Sequence, residues 1–336
     1  MRANRRPHTA LGLLIGLSVS ALALWLVIRW SGWQALQTSL KHVDWRFFGL
    51  SVVVYLLSMS ARAFAWRAIL LDRFSYLQIM GALNEGYLLN NLFPWRLGEI
   101  GRAILLGRKG VVSVLGVLSS IVVERTYDML LTVILLASML PIAAGLPGIG
   151  RQVLIAAAAV VAAIIVLLTV VYRPAWVAWV LKRLPGDSSR WQALWEKFEE
   201  GLKVLRNGRT LAASSGWMVA SWILAGIEYW LMLRAVLPEA ELIWAFLMLA
   251  VTLLGVAVPS SPGYIGVFEA AGVLALSVFG VTRSDALAAT LLLHGMVLVL
   301  ASSLGAVALA LEGETLYGLF QQVRHWMSEG RNHQVT

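Results

Sequence analysis

Long apolar runs that almost lack ionisable side chains limit this chain more than any other feature. Leu11 to Ile28, Val153 to Tyr172 and Leu287 to Leu311 are each interrupted by at most one ionisable residue, and they approach or reach the ~20 residues that a helical bilayer crossing requires. Only 13% of the chain is charged, against about 25% in a soluble domain. Lipid is therefore the solvent for most of the chain. No stretch is long enough for a separate soluble domain, so residues 1–336 read as a single membrane domain.

The formal net charge of +9 does not point to nucleic acid, because the cations are spread among short loops rather than gathered on one basic face. They follow the positive-inside rule. Arg2, Arg5 and Arg6 precede the first apolar run. Arg67, Arg73, Arg96, Arg102, Arg108 and Lys109 follow the second, and the largest block runs from Arg173 to Arg209. The loops Ser31 to Asp44, Gly145 to Arg151, Arg234 to Glu241 and Val281 to Asp285 are poor in cations. This bias puts both termini on the cytoplasmic side of a cytoplasmic (inner) membrane.

The chain has no cysteine, which excludes a disulfide framework, a thiol nucleophile and a cysteine–zinc site. His8, His42, His294, His325 and His333 are far apart, so no metal-ligand spacing exists, and His294 reads as a hydrogen-bonded core residue. No cofactor is expected. Ala21-Leu22-Ala23 resembles a signal-peptide cleavage site, but the apolar run continues to Ile28, which favours an uncleaved anchor.

The predicted fold is an all-α polytopic membrane protein with six full crossings: Leu11–Trp30, Phe47–Trp66, Leu118–Pro141, Val153–Tyr172, Leu211–Leu233 and Leu287–Leu311. Two regions differ. Tyr76 to Leu106 is broken at Asn90–Arg96, and Leu242 to Phe279 is broken at Pro259–Gly263. Irregular backbone at membrane depth survives only when buried in protein or lining a wet cavity, so both read as re-entrant hairpins. The order crossing, crossing, hairpin, crossing then occurs twice in opposite orientations, as an inverted-topology repeat of residues 11–145 and 152–311 followed by a cytoplasmic tail, 312–336. Such paired interruptions point to a midplane binding site. Trp33-Gln34-Ala35-Leu36 and Trp191-Gln192-Ala193-Leu194 echo each other after the first crossing of each half, where an interfacial helix fits. A rival arrangement makes the second hairpin two full crossings, for eight in all. Charge bias does not separate the two.

Ionisable groups at membrane depth cost roughly 2.5–3.5 kcal/mol each on insertion scales and therefore face cavities or pair. Arg96, Glu99 and Arg102 lie on the returning arm of the first hairpin. Glu99 and Arg102 are spaced i,i+3, and Glu124 and Asp128 are spaced i,i+4 beside Arg125, so each pair shares a helix face. Arg62 and Glu85 come from neighbouring helices, and Glu269 follows the second break. Buried ion pairs fixing helix register would explain any one of these residues. The whole cluster beside two breaks favours a site, with arginines suited to phosphate and short-helix N-termini after Pro94 and Pro262 adding positive dipole ends.

Of the remaining features, the 15 tryptophans read mainly as an interfacial belt. Ser189 to Leu205 reads as a cytoplasmic surface helix. No Gly-x-Ser-x-Gly elbow supports a serine hydrolase.

At the two breaks the sequence resembles the lysylphosphatidylglycerol synthase/flippase transmembrane domain family. The likeness rests on Asn90-Asn91-Leu92-Phe93-Pro94-Trp95-Arg96-Leu97-Gly98-Glu99, on Glu124-Arg125 with Asp128, and on Pro259-Ser260-Ser261-Pro262-Gly263-Tyr264-Ile265-Gly266-Val267-Phe268-Glu269. Arg62 with Arg67 is also similar. The resemblance implies translocation of a phospholipid or lipid-linked intermediate between leaflets. Bifunctional members continue into a cytoplasmic aminoacyl-transferase domain, whereas Glu312 to Thr336 is all that follows here, so no synthase activity is expected. Tyr264 stands where the family often has glycine, which narrows the expected site. The candidate substrate-binding set is Arg62, Asn91, Arg96, Glu99, Arg102, Glu124, Arg125, Asp128, Ser260 and Glu269. Arg96, Arg102 and Arg125 would contact phosphate, and the carboxylates would act as counter-charges or proton-linked switches. The expected partner is a membrane lipid, with an envelope-biosynthesis enzyme as a second. No nucleotide-binding motif supplies energy. The rival classes are an integral membrane enzyme acting on a lipid-linked donor and a scaffold for such an enzyme.

Overall fold

The computed structural model describes residues 33–93, 96–143, 188–257, 261–315, 318–319 and 321–322, with scattered positions between 158 and 183. The predicted first crossing, most of the fourth, Pro94, Trp95, Pro259, Ser260 and the tail beyond 322 lie outside the described residues. Among the described residues the structure is helical, with no strand.

A short helix, α1 (Trp33–Lys41), precedes α2 (Trp45–Ile69), which Asp44 caps by accepting from the Arg46 N–H at 2.9 Å. Next come α3 (Tyr76–Leu92), α4 (Leu97–Gly107) and α5 (Val114–Ala143). The second half contains α6 (Ser188–Leu202), a 3-10 turn (Lys203–Arg206), α7 (Gly208–Val236), α8 (Leu242–Ala257), a 3-10 turn (Pro262–Tyr264), α9 (Val267–Ser277) and α10 (Arg283–Leu311). By length and composition α2, α7 and α10 are able to cross a membrane. At ~1.5 Å per residue each exceeds the ~30 Å hydrocarbon core. Helix α5, with 30 residues, sits where the crossing Leu118–Pro141 was predicted and carries the Glu124-Arg125-Asp128 group.

Both predicted interruptions are helix–break–helix pairs. Helix α3 begins at a capping box in which Ser75 and Gln78 exchange side chain-to-backbone hydrogen bonds of 2.9 and 3.3 Å. It packs against α4 so closely that a Cβ on Gly98 would overlap the Gly86 carbonyl oxygen. The Gly98 N–H is satisfied by Asn90 Oδ1 at 2.9 Å. Helices α8 and α9 pack in the same way around a break where Gly263 has φ 65°, a left-handed value that glycine adopts without strain.

Two hydrophobic clusters form the core. One gathers Trp66, Ile69, Ile79, Leu83 and Val117 with Leu202 and Leu205, and the other Met218, Trp222, Met248, Phe268 and Leu293 with Tyr55 and Ala65, so each draws on both halves, and Tyr127 packs against both. Between the halves, α2 and α7 run antiparallel along much of their length: the Asp44 N–H donates to the Ala235 carbonyl (2.8 Å), Ser58 Oγ to the Ser221 carbonyl (3.0 Å), and Phe64 stacks on Trp217. The other contacts are reciprocal. Helix α3 packs on α10 while α8 packs on α5, and α1 packs on α10 while α6 packs on α5. The two Trp-Gln-Ala-Leu segments thus lie on helices that each dock against the last long helix of the opposite half.

Candidate functional site

Three helices bring the predicted charges together. From α2, Arg62 reaches Glu124 through Nε at 3.0 Å and Asp128 through Nη2. From α4, Arg102 pairs with the other Glu124 oxygen at 2.8 Å, its guanidinium 4.5 Å from the centre of the Trp66 ring. On α5, Arg125 contacts Asp128 at 2.9 Å and reaches across to Glu99 of α4, also at 2.9 Å. Arg96, the last residue of the first break, faces the same Glu99 oxygen at 3.6 Å. The helical spacings explain this convergence: Glu124 and Asp128 share one face of α5, and Glu99 and Arg102 share one face of α4. Four arginines meet three carboxylates, leaving an excess of one positive charge.

Burial divides the network in two. The Glu124 side chain is 0% exposed and Arg102 3%, whereas Arg96 is 29%, Arg125 27% and Glu99 25% exposed. Arg62, Arg102, Glu124 and most of Asp128 therefore form the buried ion pairs that fix helix register. Glu99 and Arg125 open on a small, half-open cleft lined also by Leu83, Gly86, Tyr87, Asn90, Gly98 and Arg102, and Arg96 meets this group through Glu99. Arg102 reaches that cleft with little exposed surface.

The two breaks also meet. Arg96 Nη2 donates to the Val256 carbonyl at the end of α8 (2.7 Å) and lies 6.0 Å from the Tyr264 ring centre. Asn91, on the last turn of α3, donates to Ser302 Oγ of α10 at 3.0 Å, so it ties the first pair to the second half. Arg96 and Tyr264 both hold left-handed backbone, at φ 50° and 57°, a conformation that costs a non-glycine residue about 1–2 kcal/mol.

Glu269 sits elsewhere. It accepts from the Gly266 N–H (2.6 Å) at the start of α9 and contacts His294 Nδ1 of α10 (2.6 Å), with Phe268 stacked on the imidazole. None of the four arginines is its partner. His294 is buried and hydrogen-bonded, as a core histidine should be. Glu85 is buried on α3 outside the ion-pair network. Ser260 lies outside the described residues.

Sequence reasoning missed two groups. Trp222 of α7 donates from Nε1 to Asp128 Oδ1 at 3.2 Å; nothing in an apolar run marks one tryptophan as a hydrogen-bond donor to a distant carboxylate. Glu228, buried on α7 with Oε1 unpartnered, was detectable as the lone charge in Leu211–Leu233.

No curated protein and no solved structure matches this chain. The family described as lysylphosphatidylglycerol synthase TM region matches residues 13–305, the greater part of the sequence, and the chain belongs to that family.

Proposed function

We propose that this multi-pass membrane protein moves a phospholipid or lipid-linked intermediate with an anionic or polar headgroup between the leaflets of the cytoplasmic membrane, as a transporter. The observation that carries the reading is the Arg96–Glu99–Arg125 group. A single carboxylate oxygen of Glu99, which lines the cleft with Arg125, is shared by two partly exposed guanidiniums, inside a network with surplus positive charge. Guanidiniums bind phosphate with paired hydrogen bonds, and a phosphate that displaces Glu99 would find both donors already placed.

The proposed topology has six crossings, two re-entrant hairpins and cytoplasmic termini. Reciprocal docking of α3 on α10 and of α8 on α5 supports an inverted repeat, and the contact between the two breaks supports a site at the repeat interface. A membrane lipid is the proposed partner, with an envelope-biosynthesis enzyme as a supplier or acceptor of that lipid.

The test is reconstitution into vesicles with leaflet-specific fluorescent phospholipids. Wild-type protein should exchange label between leaflets, while Arg96→Ala and Arg125→Ala should lose at least tenfold in rate yet still insert and purify as folded protein. Unchanged exchange in both variants would reduce these residues to structural pairs and sink the proposal.

A further inference from the structure

We propose that Glu228 is an intramembrane proton-binding site, reached from the cleft through Tyr87 and Tyr55, that couples lipid movement to proton movement. The coupling rests on the lipid-transport reading; the proton site does not.

Glu228 lies in the apolar helix α7, is 3% exposed, and leaves Oε1 without a hydrogen-bond partner. A carboxyl group in that setting avoids the cost of a bare charge either with a countercharge or with a proton. Among the described residues no countercharge is supplied. Arg62 is taken by Glu124 and Asp128, Arg102 by Glu124, Arg125 by Glu99 and Asp128, and Arg96 by Glu99. Arg234, further along α7, lies against the rings of Phe47 and Trp230. A metal cation would need a cage of oxygen ligands, and among the described residues no group of three acidic or histidine side chains is placed to hold one.

The elements around α7 supply hydroxyls instead. Tyr55 of α2 is within electrostatic reach of both Glu228 and Tyr87 of α3. Tyr87 is within reach of Arg62 and lines the cleft. Tyr229, next to Glu228, shares a hydrogen bond with Thr252 of α8 (3.1 Å), and α8 has no titratable side chain. The ionisable groups that α5 and α10 bring near α7 are occupied: Asp128 accepts from Trp222, and His294 contacts Glu269. On this proposal, a proton passes between Glu228 and the cleft by way of the Tyr55 and Tyr87 hydroxyls. The transfer balances as a relay. Tyr55 gives its phenolic proton to the Glu228 carboxylate as it takes one from Tyr87, which regains one from the cleft, so one proton moves and no other bond changes.

Two measurements test the proposal. Glu85 is also buried with both carboxylate oxygens unpartnered, so infrared spectra are taken of the full chain carrying Glu85→Gln, in phosphatidylcholine–phosphatidylglycerol vesicles at neutral pH; a protonated carboxyl band should be present and should vanish when Glu228→Gln is added. Persistence of that band in the double variant, or its absence with Glu85→Gln alone, overturns the proton site. In the same vesicles with a fluorescent phosphatidylglycerol, one proton per lipid shifts the leaflet ratio about tenfold per unit of pH gradient. Glu228→Gln should give a ratio independent of the gradient, and Tyr55→Phe should slow the approach to the shifted ratio without changing its final value. A wild-type ratio that follows a sodium gradient and ignores pH overturns the coupling. Absence of any lipid movement in the wild type, with the Glu228 band intact, refutes the transport reading and the coupling while leaving the proton site standing.

Discussion

The division of the charge network into buried and partly exposed halves yields a quantitative prediction from one substitution made at two positions. Glu124→Gln removes the charge of a carboxylate with no exposed surface that serves Arg62 and Arg102. Arg62 keeps Asp128, so the uncompensated cation is Arg102, itself 3% exposed. Stranding a buried charge costs about 3–5 kcal/mol. The Trp66 ring beneath Arg102 is present before and after the change and offers no relief. Glu99→Gln removes an equal charge from a side chain one quarter exposed, where ion pairs contribute about 0–1 kcal/mol. Unfolding free energies in micelles should therefore fall by roughly 2–5 kcal/mol more for Glu124→Gln than for Glu99→Gln. The double variant Glu124→Gln with Arg102→Met removes both charges and leaves Arg62 on Asp128, so it should recover most of the loss. Equal losses at Glu124 and Glu99, or no recovery in the double variant, would refute the partition.

Two further outcomes follow from the breaks. Arg96→Gly should relieve about 1 kcal/mol of left-handed backbone strain, offsetting the lost bond to the Val256 carbonyl, so thermal stability should stay near wild type while lipid exchange in vesicles is lost; a large stability loss would show that Arg96 mainly holds the fold. In the cysteine-free chain, Ser260→Cys should resist membrane-impermeant thiol reagents applied from the cytoplasmic side, and free labelling from that side alone would replace the re-entrant hairpin with two full crossings.

The apolar periods and the Pro/Gly interruptions made most of the helical fold legible, because lipid leaves the backbone few alternatives to helix. Helices α2, α5, α7 and α10 lie where crossings were predicted, and both interrupted regions are helix pairs. The spacing of Glu99 with Arg102 and of Glu124 with Asp128 also announced the shared helix faces. Partner choice was not legible. The sequence left open which arginine meets which carboxylate; the structure gives Arg102 to Glu124 and Arg96 to Glu99. That choice depends on how α3 and α4 cross at Gly86 and Gly98, a tertiary approach that no local pattern encodes. Glu269 looked like a member of the cluster because it follows the second break. Its own neighbours, the Gly266 N–H and His294, satisfy it locally.

The same energetics bear on where a headgroup would engage. A phosphate arriving at the network must replace an existing carboxylate partner, and the cost of that exchange depends on how much of the resident pair is desolvated. At Arg102 and Glu124 the phosphate would have to enter a pair that water does not reach, and it would break a desolvated contact while Glu124 kept only Arg62 at close range, so this exchange is the steeper one. At Arg96 and Arg125 the released Glu99 can be rehydrated through the cleft, and the pair it leaves contributes about 0–1 kcal/mol. Only the second exchange is shallow enough to run in both directions, as a carrier requires. The buried half then acts by holding Arg125: Glu124 and Asp128 sit on the same helix, Asp128 binds the Arg125 guanidinium directly, and Arg62 fixes both carboxylates to α2. On the proposed reading, the inner ion pairs preorganise the outer arginines, and the shared carboxylate of Glu99 keeps their place until a phosphate takes it.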